Sequence, residues 1–490
     1  MENFAQFRIF VSSWDGLFKI LIMSGFFGSV GRESCVYDVF YGTDYHSHLG
    51  TKRAGLAYYN AHSGFQRAIH SIENDYFRSK FAGDIRSFGA NMGIGVISDT
   101  EAQPIIINSH LGKFAIATVS KVHNIAALEA RLLGRRQHFA ETSQGGTNPT
   151  ELIAMLICEA DDLVSGIDNA FSQIKGSCSL LLLTEKGIIA ARDKLGRTPI
   201  AIGAKDKAWA VATESFSFFN LGFAGQRELG PGEIVRITAD GVEVLQAPGK
   251  QMQLCAFLYV YFGYPPSFYE GINVEECRYR CGAALARRNS VKADFVSGIP
   301  DSGIAHAVGY SFESRIPYMR PYTKYTPTWP RSFMPQNQEV RSLVAKMKLI
   351  PNSSLVAGKS GVFLDDSIVR GTQLVGNTQA LLEAGIREIH MRIACPPLLY
   401  ECIFLNFSRS KNINELATRK AIRELGVESD GDVDAFKSTD SAEYAAMTDA
   451  IRQKLKLTSL VFQRLDDLVT AIGLPKEKLC THCWDNSSFS

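Results

Sequence analysis

The pattern of apolar and polar positions changes texture about half-way along the chain. From Ser24 to about Met252, short apolar runs such as Ile105–Asn108, Leu180–Thr184 and Ile188–Ala191 read as strands. Between them, Ser120–Leu133 and Thr150–Ile174 carry helical spacing. Beyond Cys255 an apolar strand is repeatedly followed by a helix, with Val296–Ile299 and Val362–Leu364 the clearest strands. That alternation predicts a parallel α/β sheet with ligands at its carboxyl edge. Tyr259–Phe262 reads as a further strand. Asp430–Thr448, rich in Asp, Ser and Ala, reads as a polar, solvated insertion.

A chain of 490 residues is expected to build two large domains rather than one core. The formal net charge of +2 offers no polyanion-binding surface, so no nucleic-acid partner is expected. No uninterrupted apolar run is long enough for a membrane span. Residues 1–23 are mildly apolar but hold Glu2, Arg8, Asp15 and Lys19 and lack the basic start and cleavage site of a secretory signal. They are read as an extension, with Met23 an alternative start.

The most specific stretch is Val362-Phe-Leu-Asp-Asp-Ser-Ile-Val-Arg-Gly-Thr372. An apolar strand runs into two acids; a short loop follows, then a helical run from Gln373 to Ala384 closed by Gly385. Ser367, Ile368, Val369, Arg370, Gly371 and Thr372 can aim backbone N–H groups at a phosphate, with a helix dipole behind them. Asp365 and Asp366 would repel that phosphate, whereas sugar hydroxyls suit them. A 5-phosphate beside a free ribose diol satisfies both halves. The stretch resembles the phosphoribosyltransferase signature for phosphoribosyl pyrophosphate (PRPP).

Further segments extend the resemblance. They include His48-Leu-Gly-Thr-Lys-Arg-Ala-Gly55, Glu101-Ala-Gln-Pro104, Ala191-Arg-Asp-Lys-Leu-Gly-Arg-Thr-Pro199 and Thr213-Glu-Ser215. Gly230-Pro-Gly-Glu233, Tyr259-Val-Tyr-Phe262 and Gly298-Ile-Pro-Asp-Ser-Gly303 follow in the same order. Together they resemble the glutamine PRPP amidotransferase family from Met23 nearly to the C-terminus. The resemblance implies an N-terminal nucleophile hydrolase-like αββα sandwich followed by a type I phosphoribosyltransferase α/β domain. The boundaries expected are 24–252, 253–425 and a C-terminal segment 426–490. It implies a homo-oligomer, and an enzyme that joins an amine to PRPP with loss of pyrophosphate.

By that resemblance Asp301, Ser302 and Gly303 form the pyrophosphate loop, and Asp365 and Asp366 grip the ribose diol and are candidate Mg²⁺ ligands. The family's closing loop carries Lys-Asn-Arg-Tyr before Arg-Thr-Phe. Here Lys324-Tyr-Thr-Pro-Thr-Trp-Pro-Arg-Ser-Phe333 keeps Arg331 but not the other basic residue, and Pro327 and Pro330 stiffen it.

The glutaminase half departs further. Its nucleophile position is Ser24 in Ser24-Gly-Phe-Phe-Gly28, where the family has cysteine. The oxyanion segment aligns with Thr118-Val-Ser-Lys-Val122, so Val119 replaces a side-chain donor whose loss elsewhere costs on the order of 10²–10³ in rate. Pro149 replaces the acid for the glutamine amine, and Arg53 remains for its carboxylate. The expectation is a scaffold without glutaminase activity; a serine-based amidase of altered specificity is the alternative.

Cys480-Thr-His-Cys483 stands without a second CxxC. In the cluster-bearing branch of the family four separated cysteines bind a [4Fe–4S] centre, and by resemblance these are Cys255, Cys402, Cys480 and Cys483, with Cys395 a rival for Cys402. Thiols used in this way suit a reducing cytoplasm. The expected reaction is PRPP plus ammonia, less readily glutamine-derived, giving 5-phosphoribosylamine. Its rivals are a PRPP-sensing paralogue without turnover and transfer to another acceptor.

Overall fold

The computed structural model describes residues 24–73, 75–143, 145–324, 349–405, 413–428 and 432–487. In its first half, two antiparallel sheets stack. The seven-stranded sheet runs Ala224–Glu228, Ala201–Lys205, Ala208–Ala212, Ser24–Gly31, Met92–Ser98, Arg53–Asn60, Gly64–Ser71. The six-stranded sheet runs Gly241–Gln246, Ile234–Thr238, Gly187–Ala191, Gly176–Thr184, Gly112–Val122, Ile105–Ser109. Side-chain alternation sorts the first strand: Phe26 and Val30 enter the layer between the sheets against Ala117, Val119 and Leu181. Phe27 faces the other way, edge-on to Phe218 and Phe223. On the far face of the second sheet, Leu180 and Leu182 pack with Leu152, Leu156 and Ile167 of the helices Pro149–Ile157 and Leu163–Gln173. The result is an αββα sandwich.

The second half holds a four-stranded parallel sheet ordered Phe295–Gly298, Ser360–Asp365, Glu388–Ile393, Ser459–Phe462. Its last strand comes from near the end of the chain. The halves meet at Glu214, a buried acid whose Oε1 accepts hydrogen bonds from Tyr264 N at 3.0 Å and Tyr269 Oη at 2.5 Å. Burial pushes this carboxyl up. The His48 ring 2.6 Å from Oε2 more than reverses that and holds it below its ordinary range. Among the described residues, no helix is long and apolar enough to cross a membrane.

Four local expectations are corrected. Ser120–Val122 finish the strand Gly112–Val122, paired as far as Val122↔Gly176, and the helix begins at Ile125. Thr150–Ile174 is two helices, because Asp162 caps the second by accepting from Val164 N and Ser165 N at 2.8 and 3.0 Å. Tyr259–Phe262 lies in a π-helical turn, Leu258–Phe262, rather than a strand. Buried Arg278 satisfies its carbonyls, donating to Tyr259 O, Tyr261 O and Gly263 O at 3.0, 2.9 and 2.8 Å. The expected insertion at Asp430–Thr448 instead enters the helix Ala442–Lys454, which buries Tyr444, Met447 and Ile451 at helical spacing.

Candidate functional site

At the carboxyl edge of the parallel sheet two loops face each other. Phe295–Gly298 and Ser360–Asp365 are neighbours in register Gly298↔Leu364, so the turn after one strand lies beside the acids ending the other. Glycine is required twice in that turn: a Cβ on Gly303 would sit 2.1 Å from Leu364 O, and one on Gly298 would sit 2.5 Å from the Gly303 backbone. The turn contains a cis Pro300–Asp301 peptide. Ser302 Oγ donates to Asp365 Oδ1 at 3.3 Å, joining the loops directly.

Asp365 and Asp366 are both buried. The Asp366 N–H donates to Asp365 Oδ1 at 3.0 Å, and the Ser367 hydroxyl donates to Asp366 Oδ2. Gly371 then takes φ 76°, the left-handed conformation that turns the loop into the helix Thr372–Glu383. Ile368 is buried in the core, and the Val369 carbonyl accepts from Ala417 N at 2.8 Å. These two residues would therefore meet a ligand with backbone N–H groups rather than side chains. The Arg370 guanidinium pairs with Glu415 at 2.6 Å.

Three contacts here were not legible in the sequence. Arg278 lies close enough to Asp366 to feel its charge; burial lowers the guanidinium's pKa and that carboxylate opposes the shift. Glu415 takes Arg370. Lys324 forms an ion pair with Asp301, whose side chain is largely exposed. Arg331 lies outside the described residues.

At the glutaminase position, Ser24 is buried and in register with Ser98, which in turn is in register with exposed Arg53. A chain of hydroxyls runs inward. Ser24 Oγ donates to Ser98 Oγ at 3.3 Å, Ser98 Oγ meets Thr100 Oγ1 at 3.4 Å, and Thr100 donates to Glu101. Gln103 Nε2 donates to Glu101 Oε1 at 3.1 Å and to Thr118 O at 3.0 Å. Val119 is buried in the apolar layer between the sheets. Pro149 opens a helix whose cap, Asn148, accepts from Thr150 N at 2.9 Å.

Burial pushes the Glu101 acid up to about 7 from an ordinary 4.5, although donated hydrogen bonds favour its charged form. The folded chain then keeps a proton that the unfolded chain releases near 4.5. Stability falls as pH rises through that window, by about 3 kcal/mol in all. Glu101→Gln is expected to flatten the decline, read as urea midpoints at about pH 5 and about pH 8. An unchanged slope would mean that Glu101 ionises freely in the fold.

Residues 90–220 match the glutamine amidotransferase domain family. The amidophosphoribosyltransferase of Methanothermobacter thermautotrophicus is 31% identical over 468 residues, covering 93% of this chain and 90% of that protein. The Bacillus subtilis enzyme of the same name is 31% identical over 431 residues, covering 85% and 88%. This chain belongs to the amidophosphoribosyltransferase family. The solved glutamine PRPP amidotransferase from B. subtilis, complexed with ADP and GMP, superposes with a TM-score of 0.80 at 27% identity. It covers 94% of this chain and 96% of its own. A structure described as the allosteric regulatory enzyme of purine biosynthesis superposes at 0.81 with 28% identity, covering 94% and 95%.

None of the ten cysteines of this family member forms a disulfide. The fold gathers Cys255, Cys402, Cys480 and Cys483. Leu254–Cys255 and Leu479–Cys480 pair as parallel strands with Cys255 beside Cys480, and the Cys483 carbonyl accepts from Leu399 N and Tyr400 N at 3.0 and 3.1 Å. Cys402 is held below the ordinary thiol range by a hydrogen bond with the Cys483 thiol, helped by one from Leu405 N and by the Lys121 charge. Burial pushes Cys480 up to about 11 and raises Cys255, and the hydrogen bond with Cys402, ahead of burial, raises Cys483. Cys395 is buried and close enough to Tyr444 to influence its hydroxyl. Among the described residues no three His, Cys, Asp or Glu are close enough to hold a single metal ion. Four thiolates around a multi-iron cluster stand farther apart than four around one ion, for which sulfurs lie about 3.8 Å from each other at a metal–sulfur bond of about 2.3 Å.

Proposed function

We propose that this chain transfers the phosphoribosyl group of PRPP to ammonia, giving 5-phosphoribosylamine and pyrophosphate. The carrying observation is the pairing of the Asp365–Asp366 strand end and its phosphate loop with the turn 298–303. The nitrogen lone pair attacks C1 of the ribose, the C1–O bond to pyrophosphate breaks, and the added amine loses a proton to solvent. Asp365 and Asp366 would accept hydrogen bonds from the diol, and the N–H groups of Ser367–Thr372 would hold the 5-phosphate. Held at both ends, the sugar presents C1 towards the turn carrying Asp301 and Ser302, where the leaving group would lie. The oxygen-rich mouth fits Mg²⁺, held by Asp365, Asp366 and the substrate's own oxygens, which would neutralise charge building on the pyrophosphate.

The first domain is read as a scaffold. Ser24 directs its hydroxyl into a buried hydroxyl chain, Val119 supplies no oxyanion donor and Pro149 no carboxylate for a glutamine amine. The four gathered thiols fit a [4Fe–4S] cluster that would tie the C-terminal strand Leu479–Cys480 to Leu254–Cys255 and Cys402. The lack of disulfides among the ten cysteines supports a reducing cytoplasm, and a homo-oligomer is what the family resemblance implies.

Pyrophosphate release by anaerobically purified full-length protein, given PRPP and Mg²⁺, tests this reading. Release with ammonium and at least about 10²-fold less with glutamine is expected. Comparable release with glutamine would overturn the scaffold assignment. PRPP binding without release from either donor would leave a PRPP-binding regulator.

A further inference from the structure

We propose that Lys121 and Arg197, both in the first domain, are the counter-charges of the [4Fe–4S] cluster and hold its reduction potential up. The inference rests on the reading of Cys255, Cys402, Cys480 and Cys483 as the cluster ligands.

The four sulfurs belong to the second half of the chain, and the first half reaches them at two points. Lys121 lies near the end of the strand Gly112–Val122, where its backbone is held in register with Ser177. Its ammonium crosses to the second half and donates to the Cys402 carbonyl at 2.5 Å. Arg197 sits in the turn that follows the strand Gly187–Ala191. Buried Asp193 fixes that turn by accepting from Leu195 N and Arg197 N at 3.1 and 3.0 Å. The Arg197 carbonyl accepts from Cys255 N at 3.2 Å, and its guanidinium hydrogen-bonds to the Cys480 sulfur. The same guanidinium donates to Gln253 Oε1 at 3.2 Å and lies over the Phe404 ring, 3.7 Å from its centroid. Arg197 is buried and Lys121 half-buried.

Charge connects these contacts. Cys255, Cys402 and Cys480 are buried. Four thiolates outweigh the positive charge of the iron–sulfur core they would hold, and an added electron makes the assembly more negative still. Such a charge is costly away from water unless cations face it. Lys121 and Arg197 face it from two sides, one beside Cys402 and the other beside Cys480. A fixed positive charge favours the reduced form over the oxidised one, so both residues raise the potential. Neither ligates iron; each acts through the cysteine it touches, as outer partners of metal ligands do. A first domain read as a scaffold thereby keeps a part in holding the cluster.

Reductive titration of anaerobically purified full-length protein with dithionite, followed by the brown absorbance, tests this. Lys121→Met is expected to shift the midpoint potential to a more negative value, and Lys121→Arg, which keeps the charge, to restore it. Arg197→Gln, which keeps a side-chain donor without the charge, should shift it in the same direction as Lys121→Met. Iron retention should follow: the concentration of bipyridyl that strips half the iron is expected to fall by about 10–10²-fold in Lys121→Met. A side chain that merely braced the Cys402 carbonyl would lower the melting temperature without moving the potential. The wild-type potential in both Lys121→Met and Arg197→Gln, whatever their melting temperatures, would therefore overturn the proposal and leave the cluster reading intact. A wild type without iron and sulfide would overturn both.

Discussion

Asp366→Asn is expected to weaken PRPP binding by about 10–10²-fold and to remove phosphoribosyl transfer, with the fold retained. A carboxylate accepting from a ribose hydroxyl makes a charge-assisted bond worth about 1.5–3 kcal/mol, and the amide loses that charge and turns a donor towards the diol. The substitution is nearly isosteric, which matters because Asp366 is fully buried and the Ser367 hydroxyl already leans on its Oδ2. It also removes one of the negative charges that offset the buried Arg278 guanidinium, the other being Glu275, so a modest drop in Tm should accompany the loss. Arg278 keeps its three carbonyl partners, which is why unfolding is not expected. Isothermal calorimetry with PRPP and Mg²⁺, beside a thermal melt, separates the two effects. Unchanged PRPP affinity would sink the assignment of the acids to the diol.

Cys480→Ser should have the second large effect. Loss of one thiolate ligand is expected to abolish the brown absorbance and the bound iron and sulfide of anaerobically purified protein. Stability should fall with it, because the cluster would add a cross-link between segments held by the strand pair Leu254–Cys255 with Leu479–Cys480 and by the bonds of the Cys483 carbonyl to Leu399 N and Tyr400 N. Cys395→Ser is the control, and its colour should persist. A colourless wild type containing zinc would overturn the cluster, and loss of colour in Cys395→Ser but not in a Cys402 variant would reassign the ligand.

What was legible in the sequence was contiguous. Strand, paired acids, loop and helix follow one another within Val362–Thr372, and their chemistry is set by residue order, so a phosphate-and-diol ligand could be proposed without a fold. The proposed losses at Ser24, Val119 and Pro149 rest on the family resemblance for their positions and on residue type for their chemistry, since a valine side chain donates no hydrogen bond and a proline side chain carries no acid wherever it lies. Local periodicity failed where distant partners decide conformation. Tyr259–Phe262 looks like a strand, but buried Arg278 satisfies it as a π-helical turn; Asp430–Thr448 looks solvated, but Tyr444, Met447 and Ile451 cover a sheet edge strand's neighbourhood as a helix.

Tertiary structure alone decided which charges meet. Lys324 with Asp301, Arg370 with Glu415 and Arg278 near Asp366 join residues far apart in the chain, and nothing in their local sequence specifies the partner. The same holds for the hydroxyl chain from Ser24 to Glu101, which exists because antiparallel register sets Ser24 opposite Ser98. Side-chain type fixes what chemistry a residue can offer; the path of the backbone fixes whom it can offer it to.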